Sequence, residues 1–136
     1  MKTPDLSFVI PVKNGEAYLA EAISSCMAQT YKNIQVVVVD DFSTDATLRI
    51  AQWYASKDPR VKVVQLLTEG TCAGRARNAG NTHSDAEFIA VLDSDDLAAK
   101  GRAAMTLDHM REKGSYFYGS VVFIDAISKT LQGALA

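Results

Sequence analysis

No stretch of this 136-residue sequence carries enough consecutive apolar residues to cross a bilayer, for which about 20 are needed, so no membrane span is expected in the chain. Charge of one sign is also missing. The 14 basic and 16 acidic residues leave a net charge of -2, which supplies no overall field to recruit nucleic acid or an anionic membrane. An anionic ligand must therefore be gripped locally. Cysteine is scarce: Cys26 and Cys72 lie far apart, without metal-ligand spacing and without a histidine within a few residues. That excludes the usual zinc patterns and a disulfide framework, and suits a reducing cytoplasm. His83 and His109 likewise have no partner spacing and are expected at the surface or as core filling. The sequence contains no G-x-S-x-G elbow, no G-x-x-x-x-G-K-[ST] loop and no G-x-G-x-x-G fingerprint, which argues against a serine hydrolase, a P-loop enzyme and an ordinary dehydrogenase. The opening "MKTPDLS" has no cationic, apolar leader, so the expected location is cytoplasmic, with peripheral membrane attachment left to a longer parent.

What is present reads as one domain. The length suits a single core, and 48% hydrophobic with 22% charged residues is the balance of an ordinary globular protein. Leu6 to Pro11 is a short apolar run that Pro11 should end, because proline cannot donate to a central ladder. From Glu16 the period changes, and Leu19, Ala22, Ile23 and Met27 form the stripe of an amphipathic helix ending near Thr30. "IQVVVVD" (34–40) is a strand buried on both faces. A helix with Ser43, Thr44 or Asp45 as N-cap follows, its stripe Thr47, Ile50, Ala51 and Tyr54, its stop Pro59. "VKVVQLL" (61–67) is a third strand, and the loop "TEGTCAGRARNAG" leads into or through a short helix. "EFIAVLD" (87–93) is a fourth strand. The segment 97–114 is a helix with Ala103, Leu107 and Met110 inward and Gly114 after its end, and 116–125 is a fifth strand. Strands and helices alternate, so the expected fold class is α/β, an open, mostly parallel, Rossmann-like sheet with helices on both faces.

The chemistry should lie where strands end. In such sheets ligands bind beyond the carboxyl ends of the strands, where strand order reverses, and both acidic clusters follow strands. "AVLDSDDLA" (90–98) opens from an apolar run into Asp93, Asp95 and Asp96 with no basic residue beside them before Lys100. Two carboxylates about 5 Å apart repel by about 3 kcal/mol at an effective dielectric near 20. Something cationic should answer them. If the backbone stays extended past Leu92, Asp93 and Asp95 point to one side and Ser94 to the other. Two hard oxygen ligands then converge on a point that suits Mg²⁺ or Mn²⁺ completed by phosphate and water. Asp96 is given a share in capping the next helix. Asp40 and Asp41 end the second strand, where a carboxylate can accept hydrogen bonds from a base or ribose. Arg75 and Arg77 stand near the start of the third helix, where free N–H groups already favour anions. Positions two apart do not share a helix face, so one of them, Arg77, is expected to face the site and Arg75 to be solvated.

Taken together, "FVIPVKNGEAYLAEAISSCMAQTYKNIQVVVVDDFSTDAT", "GRARNAG" and "EFIAVLDSDD" resemble the family 2 glycosyltransferases, the inverting family with the GT-A nucleotide-sugar-binding fold, from about Leu6 to about Asp125. The resemblance implies that Pro11, Val12, Lys13 and Asn14, matching the family's P-V-Y-N segment, line the nucleotide base, largely through backbone. It implies that Asp41 binds the base, typically uracil, and that Asp95 holds a Mg²⁺ or Mn²⁺ on the diphosphate. Asp93 and Ser94 would approach the ribose or the metal, and Arg77 matches the arginine of the A-R-N element. The implied activity is metal-dependent transfer of a sugar from a nucleotide-diphospho-sugar, a UDP-sugar foremost, to a saccharide or lipid-linked acceptor, as in polysaccharide biosynthesis. Two positions depart from the pattern: Lys13 replaces a usual tyrosine and Phe42 a usual glycine. Family members run on for another hundred or so residues that carry acceptor recognition and the general base. Residues 1–136 are therefore expected to be a single donor-binding domain truncated before the acceptor half, with the base beyond the chain end. The competing reading is a nucleotide-sugar-binding module without turnover that needs a partner. A phosphoacceptor receiver domain fits less well, because its acids follow the first and third strands, whereas here they follow the second and fourth.

Overall fold

The structure, a computed structural model, describes residues 2–70, 72 and 74–113. Elements alternate as expected: β1 (Leu6–Val12), α1 (Leu19–Met27), β2 (Ile34–Asp41), α2 (Thr47–Lys57), β3 (Val61–Leu66), α3 (Gly74–His83), β4 (Phe88–Val91) and α4 (Arg102–Lys113). The four strands form one sheet in the order β3-β2-β1-β4, with every pairing parallel. The order reverses between β1 and β4, so the switch point lies at the carboxyl ends of these two strands. The expected strand over 116–125 and the cap at Gly114 lie outside the described residues.

The valine run explains why β2 sits inside. All eight of its residues are buried, and alternation sends them to two cores. Val36 and Val38 join Phe8, Ile10, Leu19, Ile23, Ala51, Ala103 and Leu107 on the face covered by α1, α2 and α4. Val37 and Val39 join Val9 and Ala76 on the face covered by α3. Each fully buried Leu, Ile or Phe contributes about 1.5–3 kcal/mol relative to exposure, so β1 and β2 anchor the molecule. The α3 face is thin because small residues line the helix. A Cβ added to Gly80 would come within 2.3 Å of Val9 Cγ1, so glycine there, one turn after buried Ala76, lets the helix axis approach the sheet.

Five local expectations are corrected. β1 does not stop at Pro11 but continues to Val12, pairing Pro11 with Val39. The carbonyl of Val9 accepts from Leu92 N at 2.9 Å, so by period two the peptide nitrogen of Pro11 also faces the β4 side. β4 has ended by then, and no ladder bond is lost. β4 itself spans Phe88–Val91, shorter than 87–93. The helix expected from residue 97 begins at Arg102, because the chain before it is tied to the end of α1. Ala98 N donates to Ser25 Oγ (2.9 Å), and the fully buried Gln29 donates to Ala99 O (2.7 Å) and accepts from Ala103 N (2.8 Å). Thr30 N donates to Lys100 O (2.9 Å). With Ala98 N, Ala99 O and Lys100 O so engaged, the helix starts only after them, at Arg102, and Asp96 therefore does not cap α4. At α2, Ala46 occupies the N-cap position, while Asp45 just before it accepts from Thr47 N at 2.9 Å.

Candidate active site at the carboxyl edge of the sheet

Two loops at the carboxyl edge are laced together by reciprocal hydrogen bonds. Asn14 N donates to Ser43 Oγ (2.9 Å) and Asn14 Oδ1 accepts from Thr44 N (2.8 Å). Glu16 N donates to Asp45 Oδ2 (3.2 Å), and Glu16 Oε2 accepts from Ala46 N (3.0 Å). The hydrogen bond from Thr47, with smaller contributions from backbone N–H groups, holds the Asp45 carboxyl below the usual range. Asn14 and Phe42 both take left-handed backbone conformations (φ 51° and 60°). Asparagine tolerates this; phenylalanine does so at a cost of roughly 1 kcal/mol.

Between these loops and α3 opens a cleft of about 190 Å³ lined by Pro11, Val12, Lys13, Asp41, Ala76, Arg77 and Asp93. Of the residues expected in the site, Pro11, Val12, Lys13, Asp41, Arg77 and Asp93 thus line one cleft. Asn14 instead turns its amide to the 43–44 loop, and Ser94 lies against Gly15. Lys13 forms a long, exposed ion pair with Glu69 at 3.7 Å, and among the described residues no aromatic ring lines the cleft. Asp40, at the same strand end, is buried, and its Oδ1 has no hydrogen-bond partner among the described residues.

The acidic tip is built differently from the extended arrangement expected. Asp96 N donates to Asp93 O at 3.0 Å, so residues 93–96 form a turn. A turn folds three carboxylates inward instead of alternating two of them. Ligand oxygens of Asp93, Asp95 and Asp96 all lie within 4.8 Å of one another, on exposed side chains. Asp96 is therefore a member that alternation could not reveal. Desolvation first, then the Asp95 and Asp93 charges, push its carboxyl above the usual range. Both ends of the tip are fixed, upstream by the Leu92–Val9 bond and downstream by the α1 clamp on residues 98–103. Hard, solvent-open oxygen donors in this number suit Mg²⁺ or Mn²⁺ and leave coordination positions for phosphate and water.

Both arginines of α3 reach acids, which corrects the expectation of one solvated and one facing the site. Ala76 packs down onto Val9, Val37 and Val39, so its two neighbours fan to either side of it. Arg75 meets Asp41 at the end of β2 (2.7 Å) and Arg77 meets Asp93 beyond β4 (3.6 Å). The Arg77 pair is half-exposed on both sides, so it contributes little and is readily broken. His83 lies on the exposed side of α3, its Nδ1 against Ala79 O at 2.8 Å.

Residues 7–133 match the profile described as glycosyl transferase family 2. An uncharacterised glycosyltransferase of Haemophilus influenzae is 36% identical over 127 residues, covering 92% of this chain and 50% of that protein. Among solved structures, S. aureus TarS in complex with UDP-GlcNAc superposes with a TM-score of 0.74 at 33% identity, over 88% of this chain and 33% of that one. A mannosyltransferase of Pyrobaculum calidifontis in complex with GDP-Man and Mn²⁺ gives 0.64 at 25% identity, over 77% and 31%. The chain spans half or less of the length of these relatives, and its open parallel sheet flanked by helices has the fold of its structural neighbours, the GT-A glycosyltransferases. The chain belongs to glycosyl transferase family 2.

Proposed function

We propose that these residues form the donor-binding portion of a metal-dependent, inverting glycosyltransferase that uses a nucleotide-diphospho-sugar, a UDP-sugar foremost, with a saccharide or lipid-linked acceptor. One observation carries the reading: Asp41 and the triple-carboxylate tip stand on opposite sides of one cleft, at the carboxyl ends of β2 and β4, with the Pro11–Lys13 backbone between them. That is the order in which base, ribose and diphosphate follow one another in a nucleotide.

In this reading Asp41 accepts a hydrogen bond from the base, and the backbone of Pro11, Val12 and Lys13 lines it. With Lys13 where an aromatic wall is usual, edge hydrogen bonds bear more of the recognition than stacking. Asp95 and Asp93, with Asp96 beside them, hold the divalent ion. When bound, that ion supplies Lewis-acid neutralisation of the departing diphosphate. Arg77 gives up its weak pair with Asp93 and turns its guanidinium to the phosphates, adding positive charge where negative charge develops. The acceptor oxygen bonds to the anomeric carbon as the bond to the diphosphate breaks on the opposite face, and a base takes the acceptor's proton.

The test compares UDP with inorganic pyrophosphate, each titrated with Mn²⁺ into the wild-type chain and Asp41→Ala. The expected result is a loss of about tenfold for UDP, the worth of one charge-assisted hydrogen bond, and less than about twofold for pyrophosphate, which lacks the base. Equal losses contradict the base-binding role. A parallel incubation with labelled UDP-sugars and acceptors separates transferase from module: tight binding with neither hydrolysis nor transfer favours a module completed by a partner.

A further inference from the structure

Arg75 departs from every expectation drawn from its sequence position. Its Nε and Nη2 both donate to the same atom, Oδ1 of Asp41, at 3.2 and 2.7 Å. The rest of the guanidinium is held by Thr68, with Nη1 donating to Oγ1 at 3.3 Å and Nη2 to the carbonyl. Gly70 makes room for it, since a Cβ there would lie 2.3 Å from Arg75 Nε and 2.4 Å from Cζ. The guanidinium is therefore wedged between the end of β2 and the segment leaving β3, at a largely buried carboxylate (12% exposed) that lines the cleft. No described residue donates a hydrogen bond to the other oxygen, Oδ2.

We infer that Arg75 is a specificity-determining positioning residue: it pins Asp41 through Oδ1 and thereby leaves Oδ2 as a fixed acceptor for the imino N–H of the donor's base. The inference rests on the reading of Asp41 as the base contact. An ionised carboxylate can only accept hydrogen bonds. Uracil offers a ring N–H at the position where cytosine offers a lone pair, so a carboxylate that cannot rotate favours the first and repels the second. Arginine suits the task because its planar fork places two donors on one oxygen with fixed geometry, which a lysine cannot reproduce.

The experiment is calorimetric titration of UDP, CDP and pyrophosphate, each with Mn²⁺, into wild type, Asp41→Asn, Arg75→Met and Arg75→Lys, with thermal melts of all four. Wild type should prefer UDP over CDP by about tenfold or more, the worth of one charge-assisted hydrogen bond. Asp41→Asn should abolish the preference, because an amide both donates and accepts. Arg75→Met should bring the UDP/CDP ratio to within about threefold of unity while pyrophosphate affinity changes less than twofold, roughly the limit of calorimetric comparison. Arg75→Lys should fall between and serves as the folded variant if Arg75→Met does not fold. A general structural role would lower all three affinities together. Loss of the ratio in Asp41→Asn but its retention in both Arg75 variants would overturn the inference while sparing the base reading. A wild-type chain that binds UDP and CDP alike would overturn both.

Discussion

The two edges of the same parallel sheet treat their acids in opposite ways. At the amino edge, Asp5 accepts from Tyr31 Oη at 2.5 Å and Asn33 Nδ2 at 3.0 Å, with Arg111 3.6 Å away. Asp58, before β3, is wrapped by Arg60, which donates from Nη2 at 2.9 Å and from its backbone nitrogen at 2.8 Å. At the carboxyl edge, among the described residues, Asp40 is buried with an unpaired oxygen, Asp41 is paired through one oxygen only, and Asp93, Asp95 and Asp96 crowd together with Arg77 at arm's length. Donors surround a carboxylate that secures a fold. Asp45, which laces the carboxyl-edge loops, is held by donors in the same way, whereas Asp40, Asp41 and the 93–96 acids keep acceptor capacity open, as a ligand site requires, supported by the buried framework of β1, β2 and α1.

The sharpest way to break the contrast is to cut the support while leaving the acids alone. Gln29→Leu leaves Ala103 N without its partner and removes one of the two donors to Ala99 O, Arg102 N remaining, which should destabilise the chain by about 2 kcal/mol, read from urea unfolding. It should also loosen the downstream anchor of the acidic tip and weaken Mn²⁺ binding. An unchanged unfolding midpoint would show that the α1 clamp does not carry the tip.

The second test is pH. Hydrogen bonds from Tyr31, Thr47 and Arg60, in each case the leading cause, hold Asp5, Asp45 and Asp58 below the usual carboxylate range. A depressed folded value means stability that is complete above the unfolded value and lost as pH falls through the folded one. Asp96 has the opposite sign: its raised value costs stability when the group is charged, and the cost vanishes as pH falls through that value. Melts from about pH 7 to about pH 3, spanning ordinary carboxylate values, should therefore show a shallower acid decline for Asp5→Asn. Asp96→Asn should raise the midpoint near neutrality without flattening that decline. Matching profiles for the two variants would erase the difference between the edges.

The smallest effect concerns Phe42. Its φ of 60° falls where asparagine is tolerated and a bulky residue is strained, so Phe42→Asn should stabilise by about 1 kcal/mol. A loss of stability in the same unfolding assay would show that the half-exposed ring contributes more than its backbone costs.

Much of this was legible in the sequence, and the failures share a cause. Four consecutive valines could only be a strand buried on both faces, and strand-end aspartates in an alternating α/β chain marked the carboxyl edge as the ligand side. Periodicity reports which face a residue takes within an element, and it fails where tertiary contacts take over. The delayed start of α4 follows from bonds to Ser25, Gln29 and Thr30, some 70 residues away, and Asp96 joins the cluster through the Asp93–Asp96 turn, which replaces the extended backbone that alternation assumes. Arg75 was misplaced because helix-face reasoning assumes that solvent lies on the far side, whereas at the first turn of α3 both flanks of Ala76 face strand ends. Pro11 was misjudged because its cost depends on where β4 ends, which no local pattern shows. Gln29 gave one faint signal, a polar residue at the end of an apolar helix stripe.

The central claim is that the 93–96 turn grips a divalent ion that holds a nucleotide diphosphate. Calorimetric titration of UDP into the wild-type chain and Asp95→Ala, each with Mn²⁺ and with EDTA, tests it most directly. The account predicts strong Mn²⁺ dependence in wild type, its disappearance in Asp95→Ala, and no loss of thermal stability in that variant. Mn²⁺ dependence of equal size in both proteins would contradict it.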